Sequence, residues 1–150
     1  MSGFLILKTL HVLSAIVALG ANLTYPLWTS RAERDPAHLG FALRGVKLLD
    51  DRVANPAYGV LLITGLIMAF TQYSITLTWI LAGLVIFVVV AGLATALYSP
   101  ALSRQIRAVD AEGSAGPAYR SARATAAGVG MFMTILLVAV VVVMVFKPQL

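Results

Sequence analysis

One imidazole, one acidic pair and two closely spaced methionines are the side chains of this 150-residue chain that could carry chemistry. His11 is the one ionisable residue between Lys8 and Arg31, in a run of otherwise uncharged residues. A group of that kind at membrane depth is costly and normally faces a bundle interior. At 100° per residue, Ala15, Ala18, Asn22 and Tyr25 fall within about 40° of His11, so its helix carries a stripe of small and polar residues. Three roles are open to the imidazole: a packing group bonded to a neighbouring helix, an axial ligand to haem or another metal, or a proton relay. Leaving its nitrogens without partners would cost several kcal/mol, so at least one is expected to contact a polar group. Asn55, Tyr58, Thr64 and a backbone carbonyl are the candidates from this chain.

The acidic pair, Asp50-Asp51, is followed directly by Arg52. Paired carboxylates suit acid-base work or a cation, but beside an arginine at a helix start they are expected to be a solvated ion pair or a helix N-terminal charge preference. Met131 and Met133 could suggest copper(I), yet they lie about 200° apart on a helix and cannot readily share an ion. The absence of cysteine removes thiolate metal sites and thiol catalysis. No phosphate-binding loop, Ser-His-Asp set, zinc-protease motif or basic-aromatic run is present, so neither catalytic residues nor a metal site are assigned and nucleic acid is not an expected partner.

The elements that must position His11 are set by composition. Hydrophobic residues make up 60% of the chain and charged ones 11%, with a mean hydropathy of +0.92, which calls for a lipid bilayer as the solvent. No charge or His occurs between Arg52 and Arg104, or between Arg123 and Lys147. Since about 20 residues cross a hydrocarbon layer roughly 30 Å thick, the first of these gaps must hold two crossings, turning at the polar patch Thr71-Gln72-Tyr73-Ser74-Ile75-Thr76. An all-α four-helix transmembrane bundle follows, a single domain with helices near residues 4–28, 53–71, 77–98 and 124–146.

Nine of the Lys and Arg residues border the two long connections and two, Lys8 and Lys147, border the opposite side. That bias puts the connections in the cytoplasm, with both termini and the turn at Gln72 to Thr76 outside a plasma membrane. In the first connection Asp35-Pro36 has the form of a helix start, with Asp35 as N-cap. Leu39, Ala42, Leu43, Val46 and Leu49 then recur at helical spacing, fitting either a helix at the headgroup boundary or an inward extension of the second crossing. After a bend expected at Ser99-Pro100, Leu102, Ile106 and Val109 form another stripe, and Gly113 to Pro117 a turn. These short amphipathic cytoplasmic segments are the expected docking surface. Small-xxx-small pairs, Ala124 with Gly128 and Ala126 with Gly130, lead us to expect the stretch from Ala124 to Gly130 to pack against other helices, while Leu137 to Val145 faces lipid.

The run from Leu7 to Ser14 with His11, the following Gly20 and Pro26, and Asp51-Arg52-Val53-Ala54-Asn55-Pro56 leading to Thr64-Gly65-Leu66 resemble a family of predicted bacterial integral membrane proteins, domain of unknown function 2269. The resemblance covers most of the chain and implies no particular activity. More distantly, His11 with Pro26 and Pro56 with Gly65 are similar to the spacing in the four-helix protoporphyrinogen oxidase of the HemJ type. That resemblance implies haem b with His11 as axial ligand; the chain departs from it in the third crossing, where Trp79 to Leu84 holds no basic residue or His.

Two functions are therefore expected as alternatives. One is a small non-enzymatic membrane protein, a subunit packed against larger membrane partners or a homo-oligomer. The other is a haem-binding redox protein that uses His11.

Overall fold

The structure, a computed structural model that describes residues 3–114 and 116–148, consists of four long rods. The first is α1, Gly3–Ala32. The second is α2, Pro36–Leu49, which runs through a π-helical turn at Asp50–Ala54 into α3, Asn55–Thr71. The third is α4, Thr78–Leu93, joined by a π turn at Ala94–Tyr98 to α5, Ser99–Glu112, and the fourth is α6, Pro117–Phe146. All four are long and apolar enough to cross a membrane. At about 1.5 Å per residue, rods of 30 to 36 residues are longer than the roughly 30 Å hydrocarbon layer and must project from it.

The expected crossings lie inside these rods. A helix starts at Asp35-Pro36 as expected, and α2 takes the second of its two expected forms, an inward extension of the second crossing. The difference comes at Ser99-Pro100, where α5 continues the third crossing instead of bending away from it. Each π turn ends two residues before a proline, Pro56 or Pro100. A helical proline donates no bond to the carbonyl four residues back and crowds it. Widening to i→i−5 bonds, from the Asn55 N–H to the Asp50 carbonyl and from the Ser99 N–H to that of Ala94, absorbs the mismatch without breaking the rod. Asp35 makes no cap bond; its carboxylate takes His38 Nδ1 at 2.7 Å instead.

Within the bundle α1 packs on α3, α4 and α5 on α6, and α2 on both α1 and α5. The main core gathers at the end that holds the two long connections, here the loop end, where Leu39, Leu43 and Val46 of α2 meet Ala101 and Leu102 of α5 and Tyr119 of α6. The two amphipathic stripes thus bury most of their apolar face inside the bundle rather than presenting it as a docking surface, and Arg44 Nη1 bonds Asp110 Oδ1 at 3.0 Å beside it. At the opposite, turn end, Phe4 meets Tyr73 edge-on, Tyr73 meets Trp79, and the Lys147 ammonium sits over both of the latter rings. The start of α1, the turn and the end of α6 therefore share one end of the molecule.

The faces of α6 divide differently from the expectation. Ala126 and Met133 are buried and Gly130 abuts Tyr98, whereas Ala124 and Gly128 lie on an open face. Leu137 is buried too, while Val138, Val141, Val142 and Val145 are exposed.

Candidate functional site

His11 rides on α1 opposite Thr64 and Gly65 of α3. Its Nδ1 lies 3.0 Å from Thr64 Oγ1, and that hydroxyl lies 2.7 Å from the Val60 carbonyl four residues back. All three groups are satisfied when the threonine donates to Val60 and accepts from Nδ1–H, which assigns the ring proton to Nδ1 and leaves the Nε2 lone pair free. Of the expected partners, Thr64 is the side chain that meets the ring, and the Leu61 backbone carbonyl also bonds it. Gly65 permits the approach: a Cβ there would stand 2.9 Å from His11 Cε1.

Three turns further along the same stripe, Asn22 donates to the Ala18 carbonyl and to Tyr58 Oη, each at 2.9 Å. Beyond it Tyr25 stacks on Tyr98 at a centroid distance of 6.4 Å. Asp50 is only 6% exposed and lies within electrostatic reach of the Tyr25, Tyr58 and Tyr98 hydroxyls. One carboxylate and three phenols thus gather between the two π turns, Asp50 opening the first and Tyr98 closing the second. π turns inside α-helices are frequent where a helix is shaped for function.

Among the described residues the Tyr25 hydroxyl has no hydrogen-bond partner although the residue is 2% exposed. Removing an unsatisfied buried hydroxyl is neutral or stabilising, since no bond is lost and a desolvation cost disappears. Tyr25→Phe is therefore expected to hold or raise the melting temperature in mild detergent. A clear decrease would reveal a partner for the hydroxyl, such as a water bridging to Asp50.

At the loop end Glu33 receives the Tyr119 hydroxyl at 2.9 Å and Arg123 Nη2 at 2.6 Å, tying the end of α1 to α6. The Arg123 hydrogen bond holds the Glu33 carboxyl below its ordinary value of 4.5, with partial burial opposing and the Tyr119 bond assisting. A carboxyl whose folded value is lowered adds stability that is complete above the ordinary value and is lost as the pH falls through the folded one. Glu33→Gln is accordingly expected to lower the melting temperature at neutral pH, with the gap from the unmodified chain closing below pH 4.5. A gap that stays constant into acid would count against the linkage.

The acidic pair splits. Asp51 forms a surface ion pair as expected, but with Lys47 Nζ at 2.5 Å rather than with Arg52, whereas Asp50 corrects the expectation of a solvated residue because it turns into the bundle. A signal for this was present: Asp50 continues the α2 stripe of Leu39, Leu43 and Val46 by one more turn. Met133 is buried and Met131 exposed, in line with their opposite faces. His38 stays at the loop end with Asp35, away from His11.

A family model described as a predicted integral membrane protein, domain of unknown function 2269, matches residues 5–148. No curated protein and no solved structure matches the chain.

Proposed function

The chain belongs to that family of predicted integral membrane proteins, and on that premise we propose that it is a non-enzymatic subunit that assembles with larger membrane partners through helix faces opened by glycine. The observation that carries this reading is the open face of α6. A Cβ on Gly128 would meet nothing within 4 Å, and the same holds at Gly92 and Gly59 on the third and second rods. Small residues let a foreign helix approach closely, and in lipid such packing drives association.

Solubilised in mild detergent, the chain is expected to run in a particle heavier than its own 15.9 kDa and bound detergent account for. Gly128→Leu should release it as a free chain. An unmodified chain that already runs free overturns the proposal.

In a plasma membrane the two long connections face the cytoplasm, and the turn end faces out, a reading supported by the distribution of Lys and Arg. Single cysteines at Ser74 and Ser114 are then expected to label from opposite sides of sealed vesicles. Labelling of both from one side would refute the topology.

A second reading, haem b on His11, is favoured by one observation. The Nδ1–H bond to Thr64 is the outer contact that a ligating imidazole needs, and it presents Nε2 as a base. Haem held there would supply one-electron redox chemistry, with Thr64 and Gly65 fixing the ring. Any second protein ligand would have to come from another copy of the chain, because His38 lies at the loop end with Asp35, away from His11. A Soret band that disappears in His11→Ala while the bundle still melts cooperatively is the expected result; a colourless preparation removes this reading.

A further inference from the structure

Between the last turns of α1 and the outward face of α2 runs a groove of about 610 Å³, within the size range of small-molecule sites. Its wall is apolar and unusually bare for a loop-end surface: Trp28, Phe41, Leu48 and Leu49 line it, with Phe41 78% and Leu48 60% exposed. Arg31 and Arg34 line the same groove. Arg44 pairs with Asp110, Lys47 with Asp51 and Arg123 with Glu33, whereas Arg52, Arg104, Arg107 and Arg120, which lie outside the groove, have no ion pair among the described residues, and the acid in the groove, Asp35, is taken by His38. Among the described residues Arg31 and Arg34 have no ion-pair partner.

The order of these groups along the rods carries the argument. Leu48 and Leu49 adjoin the membrane-spanning part of the second rod and Trp28 is of the type that anchors at the membrane boundary, while Arg31 and Arg34 follow at and beyond the end of α1. An amphiphile with an apolar tail toward the bilayer and an anionic head away from it matches that sequence of surfaces. We propose that the groove is a binding site for one anionic phospholipid, its acyl chain against Trp28, Leu48 and Leu49 and its phosphate between the Arg31 and Arg34 guanidinium groups. Arginine pairs suit phosphate because two N–H donors can engage it in parallel. Basic pockets between helices at the membrane surface select anionic headgroups over zwitterionic ones by charge.

Trp28 itself reports on the site. The substitution Trp79→Phe leaves Trp28 as the single tryptophan, since the chain holds two. Reconstituted in phosphatidylcholine vesicles containing brominated phosphatidylglycerol, Trp28 is expected to be quenched at about fivefold lower mole fraction than with brominated phosphatidylcholine. Arg31→Gln with Arg34→Gln should abolish that preference and leave quenching by brominated phosphatidylcholine unchanged. Native mass spectrometry of the chain with Trp79 intact provides the second measurement, a retained phosphatidylglycerol mass that the double variant loses. Equal quenching by both lipids, a preference that survives the double substitution, or its removal by inorganic phosphate alone would each overturn the proposal, the last by showing a site for the free ion.

Discussion

Replacing Gly130 by leucine is expected to lower the melting temperature of the bundle sharply, while the same change at Gly128 leaves it unaltered or slightly raised. The two glycines are half a turn apart on α6 and face opposite ways. A Cβ at Gly130 would stand 3.3 Å from Tyr98 Cε2 and 3.7 Å from Cδ2, and the remaining leucine atoms would have to displace that ring. Tyr98 cannot retreat freely: it stacks on Tyr25 and closes the second π turn. Overpacking of this kind costs roughly 1–3 kcal/mol, occasionally more. At Gly128 an added Cβ meets nothing within 4 Å, so the side chain starts into open space and leucine gains about 0.8 kcal/mol or slightly less of helix propensity over glycine. Parallel melts in one mild detergent decide it, and equal destabilisation by both variants would sink the assignment of inner and outer faces. The same pair keeps assembly apart from folding, because Gly128→Leu is expected to disturb association without disturbing the bundle.

Much of this architecture was readable before any coordinates. Four crossings follow from the uncharged gaps, and the turn between the second and third from the patch at Thr71 to Thr76. His11 stood out as the ionisable residue in a crossing, and Thr64 was among its named partners. The loop end was less legible. The Asn55-Pro56 and Ser99-Pro100 pairs look like interruptions, yet widening to π geometry lets the rods pass through them, and residue type alone does not distinguish that outcome from a kink. Ending the α2 stripe at Leu49 puts Asp50 among the solvated residues, whereas one further turn from Val46 falls on Asp50 and carries it inward. The α6 pairs show another limit: Ala124-Gly128 and Ala126-Gly130 lie about 200° apart, so both cannot face one neighbouring helix, and their spacing does not say which one does.

Gly65→Ala is expected to destabilise the bundle by roughly 1–3 kcal/mol, and to do so only while His11 is present. The added Cβ would fall 2.9 Å from His11 Cε1 and 3.4 Å from Nδ1, so the ring must swing off α3. Its Nδ1–H then loses Thr64, while the threonine keeps its bond to the Val60 carbonyl. An interhelical hydrogen bond in a membrane protein is worth about 1 kcal/mol, and the displaced ring also gives up its contact with Gly65. With His11→Ala as background the obstacle is gone, and the alanine at position 65 should be neutral or gain helix propensity up to about 1 kcal/mol. Melting the two single variants and the double variant completes a cycle whose coupling should exceed about 1 kcal/mol. Additive effects would mean that the imidazole does not rest on Gly65. The cycle also bears on the redox reading, because a haem-bound imidazole held by Thr64 would shift its absorption bands in Gly65→Ala even where the bundle survives. A ring that serves packing alone produces the stability coupling with no chromophore to shift.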